Sequence, residues 1–316
     1  MQNSSGSLRL SVVICTCNPS ESIRETFLSV KHQSLNRDAY EVIVVDSASD
    51  PRESTCLQTQ CESHGFAYHK LEKPGLSLAR NRGISISGGE FLYFIDDDAV
   101  APAHLLALIV EQLEHCEDRV VVGGPVHGLW SDYPPFWLMS RYWRMISLLS
   151  YGDCSRALRY PEIVIGCNMA FKKYVFSDGL LFDESLGRKG SFLLGSEERL
   201  IQKQLMDKGK QVYYVADMYV FHRVPPKRMT VDYFLERTHG AELSLIAMEG
   251  GSRLWHDVFL AVKELLVALL AYPLHIFKFG YRAGSLKLLL VLTGIKARFQ
   301  HRYRKIFRDY SNNGDK

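Results

Sequence analysis

Apolar runs of five or six residues recur along the first hundred positions, each closing on a polar or acidic residue. Leu10-Ser-Val-Val-Ile-Cys15, Glu41-Val-Ile-Val-Val-Asp46 and Phe91-Leu-Tyr-Phe-Ile95 read as buried strands, short, continuous and rich in branched side chains. Between them the pattern is helical over residues 20–33, 52–64 and 76–86, with turns at Asn18-Pro19 and Pro74-Gly75. Pro19 suits an early helix position, and Ser20 is a candidate cap. A short strand is expected at 66–69. Such alternation with short connections indicates a parallel, doubly wound α/β sheet.

The second half begins near Val120. Pro134-Pro135, among Trp130, Tyr133, Phe136 and Trp137, reads as a loop over the sheet, either a satellite hydrophobic cluster or a substrate lid. Residues 163–166 and 169–171 flank Cys167-Asn168 in a strand with a glycine gap. A charged helix over 196–208 stops at Gly209, and a strand follows at 211–215. Residues 254–272 form a helix in which His256, Asp257, Lys263 and Glu264 make a narrow polar stripe beside a wide apolar face. That charge content makes a poor transmembrane segment. The helix either packs on the core or lies in a membrane interface.

Charge sharpens the second option. The net charge is only +3, yet residues 265–308 hold no Asp or Glu and nine basic residues: Lys278, Arg282, Lys287, Lys296, Arg298, Arg302, Arg304, Lys305 and Arg308. The rest of the chain has 29 basic against 35 acidic residues. An acidic body with a basic tail suggests a tail facing an anionic lipid surface, each Lys or Arg adding roughly 1 kcal/mol. Nucleic acid is disfavoured, since the body offers no basic groove. Seven scattered cysteines without a paired zinc pattern favour a reducing compartment. Residues 8–15 are too short and polar for a signal peptide, so a cytoplasmic location, peripheral on the membrane face, is expected. At 316 residues the chain suits one α/β domain with a C-terminal appendage.

The chemistry concentrates where the strand at 91–95 meets Asp96-Asp97-Asp98. Adjacent carboxylates repel, and a hard divalent cation would neutralise them; the other reading is a solvated acidic turn. In a doubly wound sheet, ligands bind outside the carboxyl ends of the strands. Asn18, Asp46 and the triplet all fall at such ends. The first strand is followed by Cys15-Thr-Cys-Asn-Pro-Ser20, which contains no glycine, so a dinucleotide oxidoreductase or a P-loop kinase is disfavoured.

Seven segments taken in order resemble a known group. Ser11-Val-Val-Ile-Cys-Thr-Cys-Asn18, Val44-Val-Asp46-Ser47-Ala-Ser49, Lys73-Pro-Gly75-Leu-Ser-Leu-Ala-Arg80-Asn81-Arg-Gly83 and Phe94-Ile-Asp96-Asp-Asp98 are similar to successive signatures of family 2 glycosyltransferases. Gly166-Cys-Asn168-Met-Ala-Phe171, Gly195-Ser-Glu197-Glu198 and Val220-Phe-His222-Arg-Val-Pro-Pro226 resemble its later ones. The resemblance covers residues 8–240 and implies a GT-A fold: a Rossmann-like donor-nucleotide half at 8–125, an acceptor half at 126–240 and a mixed central sheet. A helical, basic extension at 241–316 lies outside it.

By that resemblance Thr16, Asn18, Asp46, Arg80, Asp96 and Asp97 seat the nucleotide-sugar donor. Asp98 and His222 hold Mg²⁺ or Mn²⁺ at its diphosphate, Glu198 is the base, and Asn168 lies near the acceptor. Glu197 is the alternative base, because the family more often has Asp where Glu198 stands. The implied function is inverting sugar transfer to a saccharide or lipid-linked acceptor hydroxyl, in cell-surface polysaccharide or glycolipid synthesis. Read without the family, Asp46 also suits a turn or helix cap, Arg80 a surface ion pair and the two glutamates a helix N-terminus. Two other functions are compatible with the residues: a non-catalytic nucleotide-sugar-binding or scaffold protein, and a nucleotidyltransferase, which the missing glycine-rich loop disfavours.

Overall fold

A computed structural model describes residues 7–188, 193–249 and 254–313. The first half alternates as β1 (Leu10–Thr16), α1 (Ile23–Lys31), β2 (Tyr40–Ser47), α2 (Pro51–His64), β3 (Ala67–Leu71), α3 (Leu76–Ile86) and β4 (Phe91–Asp96). Next come β5 (Ala99–Val100), α4 (Leu105–Glu114), β6 (Arg119–Gly123), β7 (Val126–Trp130), β8 (Arg156–Ala157) and β9 (Asn168–Lys172). The chain ends with α5 (Glu197–Asp207), β10 (Gln211–Tyr214), β11 (Val220–Val224), α6 (Val231–Glu249) and α7 (Leu254–Asn313).

Eight strands form the main sheet in the order β3-β2-β1-β4-β9-β6-β10-β8. The first four are parallel; the continuous apolar sequences of β1, β2 and β4 follow from burial on both faces, whereas β3, at the sheet's edge, is partly exposed. β9 enters between β4 and β6 antiparallel to both, so the sheet is mixed rather than wholly parallel. Hydrophobic period fixes that a segment is a strand, not which way it runs, and the long excursion between β4 and β9 leaves either direction open. Phe94, Met169, Phe171, Phe182, Ile201 and Tyr214 belong to the core cluster that packs beneath this sheet.

Local differences from the sequence pattern at α1 and at residues 163–166 have physical causes. α1 begins at Ile23, because Ser20 to Ser22 form a turn in which Ile23 N–H donates to Ser20 O. Ser20 caps nothing; its hydroxyl pairs with that of Ser22 at 2.6 Å. Residues 163–166 are not a strand. Val164 N–H donates instead to Gln202 Oε1 at 3.0 Å, and Gln202 Nε2 donates to Val164 O at 2.8 Å, so a side chain takes the place of a neighbouring strand. α5 ends as expected before Gly209, whose φ of +75° only glycine adopts without strain.

By its internal contacts the chain divides into two units. Met1–Leu129, Ser147–Gly190 and Glu197–Val224 make the sheet-bearing unit; Trp130–Ile146, Ser191–Ser196 and Pro225–Lys316 make the second. In the second unit the aromatics of the Pro134-Pro135 loop divide. Trp137 packs edge-on against Phe234 at 5.4 Å, whereas Tyr133 and Phe136 are exposed.

The helix expected at 254–272 continues to Asn313 with Pro273 inside it. Glu264 and Arg298 would stand roughly 51 Å apart on a straight helix. Arg298 Nη2 nevertheless donates to Glu264 Oε2 at 2.9 Å, and Tyr272 and Ser285 hydroxyls meet at 3.3 Å, so α7 doubles back between Tyr272 and Ser285. Arg298 also binds Glu242 on α6. The side chains of His256, Asp257, Lys278, Arg282, Arg302, Arg304, Lys305 and Arg308 lie outside the described residues. Among the described residues no helix is long and apolar enough to cross a membrane.

Candidate active site

The carboxyl end of β4 delivers Asp96, and the chain then turns through Asp97 and Asp98 into β5. β11 runs antiparallel to β5 with His222 opposite Ala99, and Arg223 N–H donates to Asp98 O at 2.9 Å. This register carries His222 across a hundred residues of sequence to the triplet. Its ring is fully buried, with Nε2 3.1 Å from Asp98 Oδ1 and 4.0 Å from Asp96 Oδ2. One ligand atom from each of Asp96, Asp98 and His222 falls within 4.8 Å of the others. Two carboxylate oxygens and an imidazole nitrogen form a donor set that fits a divalent cation able to take further oxygen ligands.

Asp97 is built differently. Its carboxylate accepts from the buried Thr16 hydroxyl, and its carbonyl accepts from Thr26 Oγ1 at 3.0 Å. Those bonds fasten the turn to β1 and α1 and so set the direction of its two neighbours.

Arg80, on the buried face of α3, connects the triplet to α5. Its Nη1 donates to Glu197 Oε1 at 2.6 Å, and Nη2 lies 4.0 Å from Asp96 Oδ1. The guanidinium sits over the rings of Phe182 and Phe94, at 5.4 and 5.9 Å. Burial opposes its charge, but Glu197 and Asp96 outweigh burial and the pKa is raised. The surface ion-pair reading of Arg80 therefore gives way to a buried one. Close passage of the guanidinium requires Gly166, where a Cβ would overlap Nη2.

Glu198 follows Glu197 in the first turn of α5. Its pKa is pushed up to about 7, first by burial and then by the charge of Glu197, with Arg80 opposing. Its Oε2 is buried and has no hydrogen-bond partner among the described residues. A carboxyl that exchanges its proton near neutral pH can act as a general base.

The remaining predicted residues lie on neighbouring strand ends and are held by partners outside the cluster: Asp46 is in register with Thr16, and Asn168 with Ile95. Asp46 is fully buried, and its carboxylate accepts from Ser49 N–H at 2.8 Å, Ser54 Oγ at 2.7 Å and Tyr68 Oη at 2.7 Å. Burial alone would raise its pKa; these bonds reverse the shift and lower it. Asn18 adopts φ +50°, and its Oδ1 accepts from Asp50 N–H at 2.8 Å, so it ties the end of β1 to the turn after β2. Asn168 is fully buried too. Its amide donates to Met218 O at 2.6 Å and Pro125 O at 3.2 Å, and its Oδ1 accepts from Tyr93 Oη at 3.1 Å.

Asn81, next to Arg80 on α3 and not among the residues expected at the site, belongs to the site's frame. Its amide exchanges two 2.9 Å hydrogen bonds with the backbone of Phe182, the ring that covers Arg80. The available signal was a carboxamide in mid-helix, which needs partners outside the helix when it is not solvated.

Comparison with known proteins gives the family and the fold. The family model described as glycosyl transferase family 2 matches residues 11–180. The chain is 26% identical over 237 residues to a glucosyl-dolichyl phosphate glucuronosyltransferase of Haloferax volcanii, covering 73% of this chain and 74% of that protein. It is 24% identical over 284 residues to the succinoglycan biosynthesis protein ExoM of Rhizobium meliloti, covering 84% and 86%. Among solved structures, a mannosyltransferase from Pyrobaculum calidifontis in complex with GDP-Man and Mn²⁺ superposes with a TM-score of 0.63 at 20% identity, covering 94% of this chain and 88% of that one. With the match running through β1, the acid triplet and β9, the chain belongs to glycosyl transferase family 2 and has the GT-A fold.

Proposed function

We propose that the protein is an inverting, metal-dependent glycosyltransferase that moves a sugar from a nucleotide-diphosphate donor to an acceptor hydroxyl. The observation that carries this reading is Arg80, which joins the Asp96–Asp98–His222 cluster to the buried Glu197, the neighbour of Glu198 in the first turn of α5. The cluster suits the leaving diphosphate, and the pair suits the attacking hydroxyl.

In this scheme Glu198 takes the acceptor's proton as its oxygen bonds to the anomeric carbon. The bond from that carbon to the diphosphate breaks on the opposite face, and the nucleoside diphosphate departs with the electron pair. One base and no covalent intermediate give inversion. Asp96, Asp98 and His222 would hold Mg²⁺ or Mn²⁺, which when bound neutralises charge on the leaving group. The Pyrobaculum structure with GDP-Man and Mn²⁺ supports that choice by similarity of fold. Glu197, paired with Arg80, is assigned to holding that arginine rather than to proton transfer.

Thr16 and Asp97 orient the triplet, and Arg80 and Asp96 face the donor. Asp46 and Asn18 are assigned to shaping the rim that receives the nucleotide, since their polar atoms are engaged within the fold. Asn168 is assigned to joining β9 to its neighbours rather than to touching the acceptor. The Haloferax relative is named for a dolichyl-phosphate-linked sugar and the Rhizobium relative for a polysaccharide, which favours a saccharide or lipid-linked acceptor.

A peripheral membrane location at the cytoplasmic face completes the reading. Phe259, Val262, Leu266, Leu270, Leu274 and Phe277 recur at helical spacing on α7 and are all about half exposed or more. The basic composition of the sequence beyond them supports attraction to anionic lipid.

Donor-dependent product formation is the test. Asp98→Ala and Glu198→Gln should each lower transfer by roughly 100-fold or more, and Asp98→Ala should also remove the Mn²⁺-dependent thermal shift given by the donor. Wild-type turnover in either variant would sink the assignment.

A further inference from the structure

Gln202 lies one helical turn beyond Glu198 on the same face of α5. Its side chain is fully buried, and both ends of its carboxamide engage a single residue, Val164. Ile201 and Leu205 already provide this helix's apolar contacts with the core. A buried carboxamide adds no such contact; it adds direction, because it is tolerated only where donor and acceptor both find partners.

Two residues beyond Val164, Gly166 lies against the guanidinium of Arg80, which holds Glu197. The contacts close a ring: Glu198 to Gln202 along the helix, Gln202 to Val164, along the chain to Gly166, and through Arg80 to Glu197.

We propose that Gln202 is a positioning residue for the transfer reaction, locking the first turn of α5 in the rotation and depth that present Glu198 to the acceptor hydroxyl. The proposal rests on the reading of Glu198 as the base. That first turn needs a lock, since it follows Ser196, a non-glycine residue with φ +72°. Oε2 of Glu198 has no hydrogen-bond partner among the described residues, and the carboxyl's hydrogen bonds are to Glu197 and to the backbone of this same turn, so the first turn of α5 sets where the carboxyl stands.

The charged groups facing Glu198 among the described residues are Glu197 on α5 and Arg80 on α3. Loosening the turn admits water to Glu198. Burial is the largest cause of its raised pKa, so hydration lowers it and the base weakens as it is misplaced.

Gln202→Met keeps the length of the side chain and removes both hydrogen bonds. In the full-length, metal-loaded protein, kcat should fall roughly 10- to 100-fold with the donor KM unchanged. The acid limb of kcat should move below the wild-type limb near pH 7. The Val164 amide should lose hydrogen-exchange protection, which confirms that the clamp is open whatever the chemistry. A folded variant with an unprotected Val164 amide, wild-type kcat and an unmoved acid limb would overturn the proposal. Should the Met variant not fold, Gln202→Asn, a methylene shorter and unable to hold both atoms of Val164, takes its place with the same outcomes. Failure of the base reading looks different: Glu198→Gln would then turn over at the wild-type rate.

Discussion

Glu198 carries the most direct consequences at the scale of single residues. If it accepts the acceptor's proton, Glu198→Gln should lower kcat by roughly 10²- to 10⁴-fold with little change in donor KM. The wild-type rate should rise with pH through an acid limb near 7, and a pH–rate profile checks it. The same shift bears on stability. A carboxyl whose pKa rises from 4.5 to about 7 on folding binds its proton more tightly in the native state. Its favourable contribution is therefore complete below about pH 4.5 and lost as pH rises through 7. Glu198→Gln should accordingly melt higher than wild type at pH 8, by something on the order of 1–3 kcal/mol, and by little at pH 5. Thermal melts at the two pH values decide this. The triplet was legible because three carboxylates closing an apolar run stand out in a sequence; Arg80 and the glutamate pair were marked only by the family resemblance, since by themselves they read as a surface ion pair and a helix N-terminus. Asp46 and Asn168 show the limit: a polar residue near a strand end does not name its partners in the sequence, and Ser49, Ser54 and Tyr68 around Asp46, like Pro125 and Met218 around Asn168, come from elsewhere in the chain.

Pairs of elements set the site's geometry at the next scale. His222 reaches the triplet because β11 pairs with β5 in one register, and a slip of a single residue would turn its ring to the other face of the small sheet. α3 and the segment before β9 approach closely at Gly166. Gly166→Ala should displace the Arg80 guanidinium, which is buried and fixed by Glu197, and should cost about 1–3 kcal/mol of stability by denaturant titration. Transfer activity should fall with it, because Arg80 spans the two halves of the proposed chemistry. The strands and helices from β1 to β4 were readable from hydrophobic period and turn residues, with α3 matching over its full length, whereas β5 and α4 were not anticipated. The strand expected at 163–166 was not there. Its apolar residues belong to the core, and a carboxamide satisfies the backbone of Val164 where a ladder would have.

The apolar stripe on α7 matters at the scale of the whole molecule. Leu270→Asp, Leu274→Asp and Phe277→Asp in one full-length variant should reduce sedimentation with vesicles rich in anionic lipid. Each substituted position is exposed, at 78%, 71% and 94%, so folding should be little affected. Equal binding by variant and wild type would refute the interfacial reading. Salt should weaken wild-type binding wherever the basic residues contribute. The sequence by itself determined the α/β class, the order of the first elements, the acid triplet at a strand end and the acidic body with its basic tail. These are local properties, fixed by period, composition and neighbours along the chain. The direction of β9, the doubling back of α7 and the meeting of Asp98 with His222 were decided only by tertiary structure. So was the burial that lifts Glu198 to about 7. Each depends on residues tens to hundreds of positions apart, whose approach is set by packing and strand register rather than by anything written at either position.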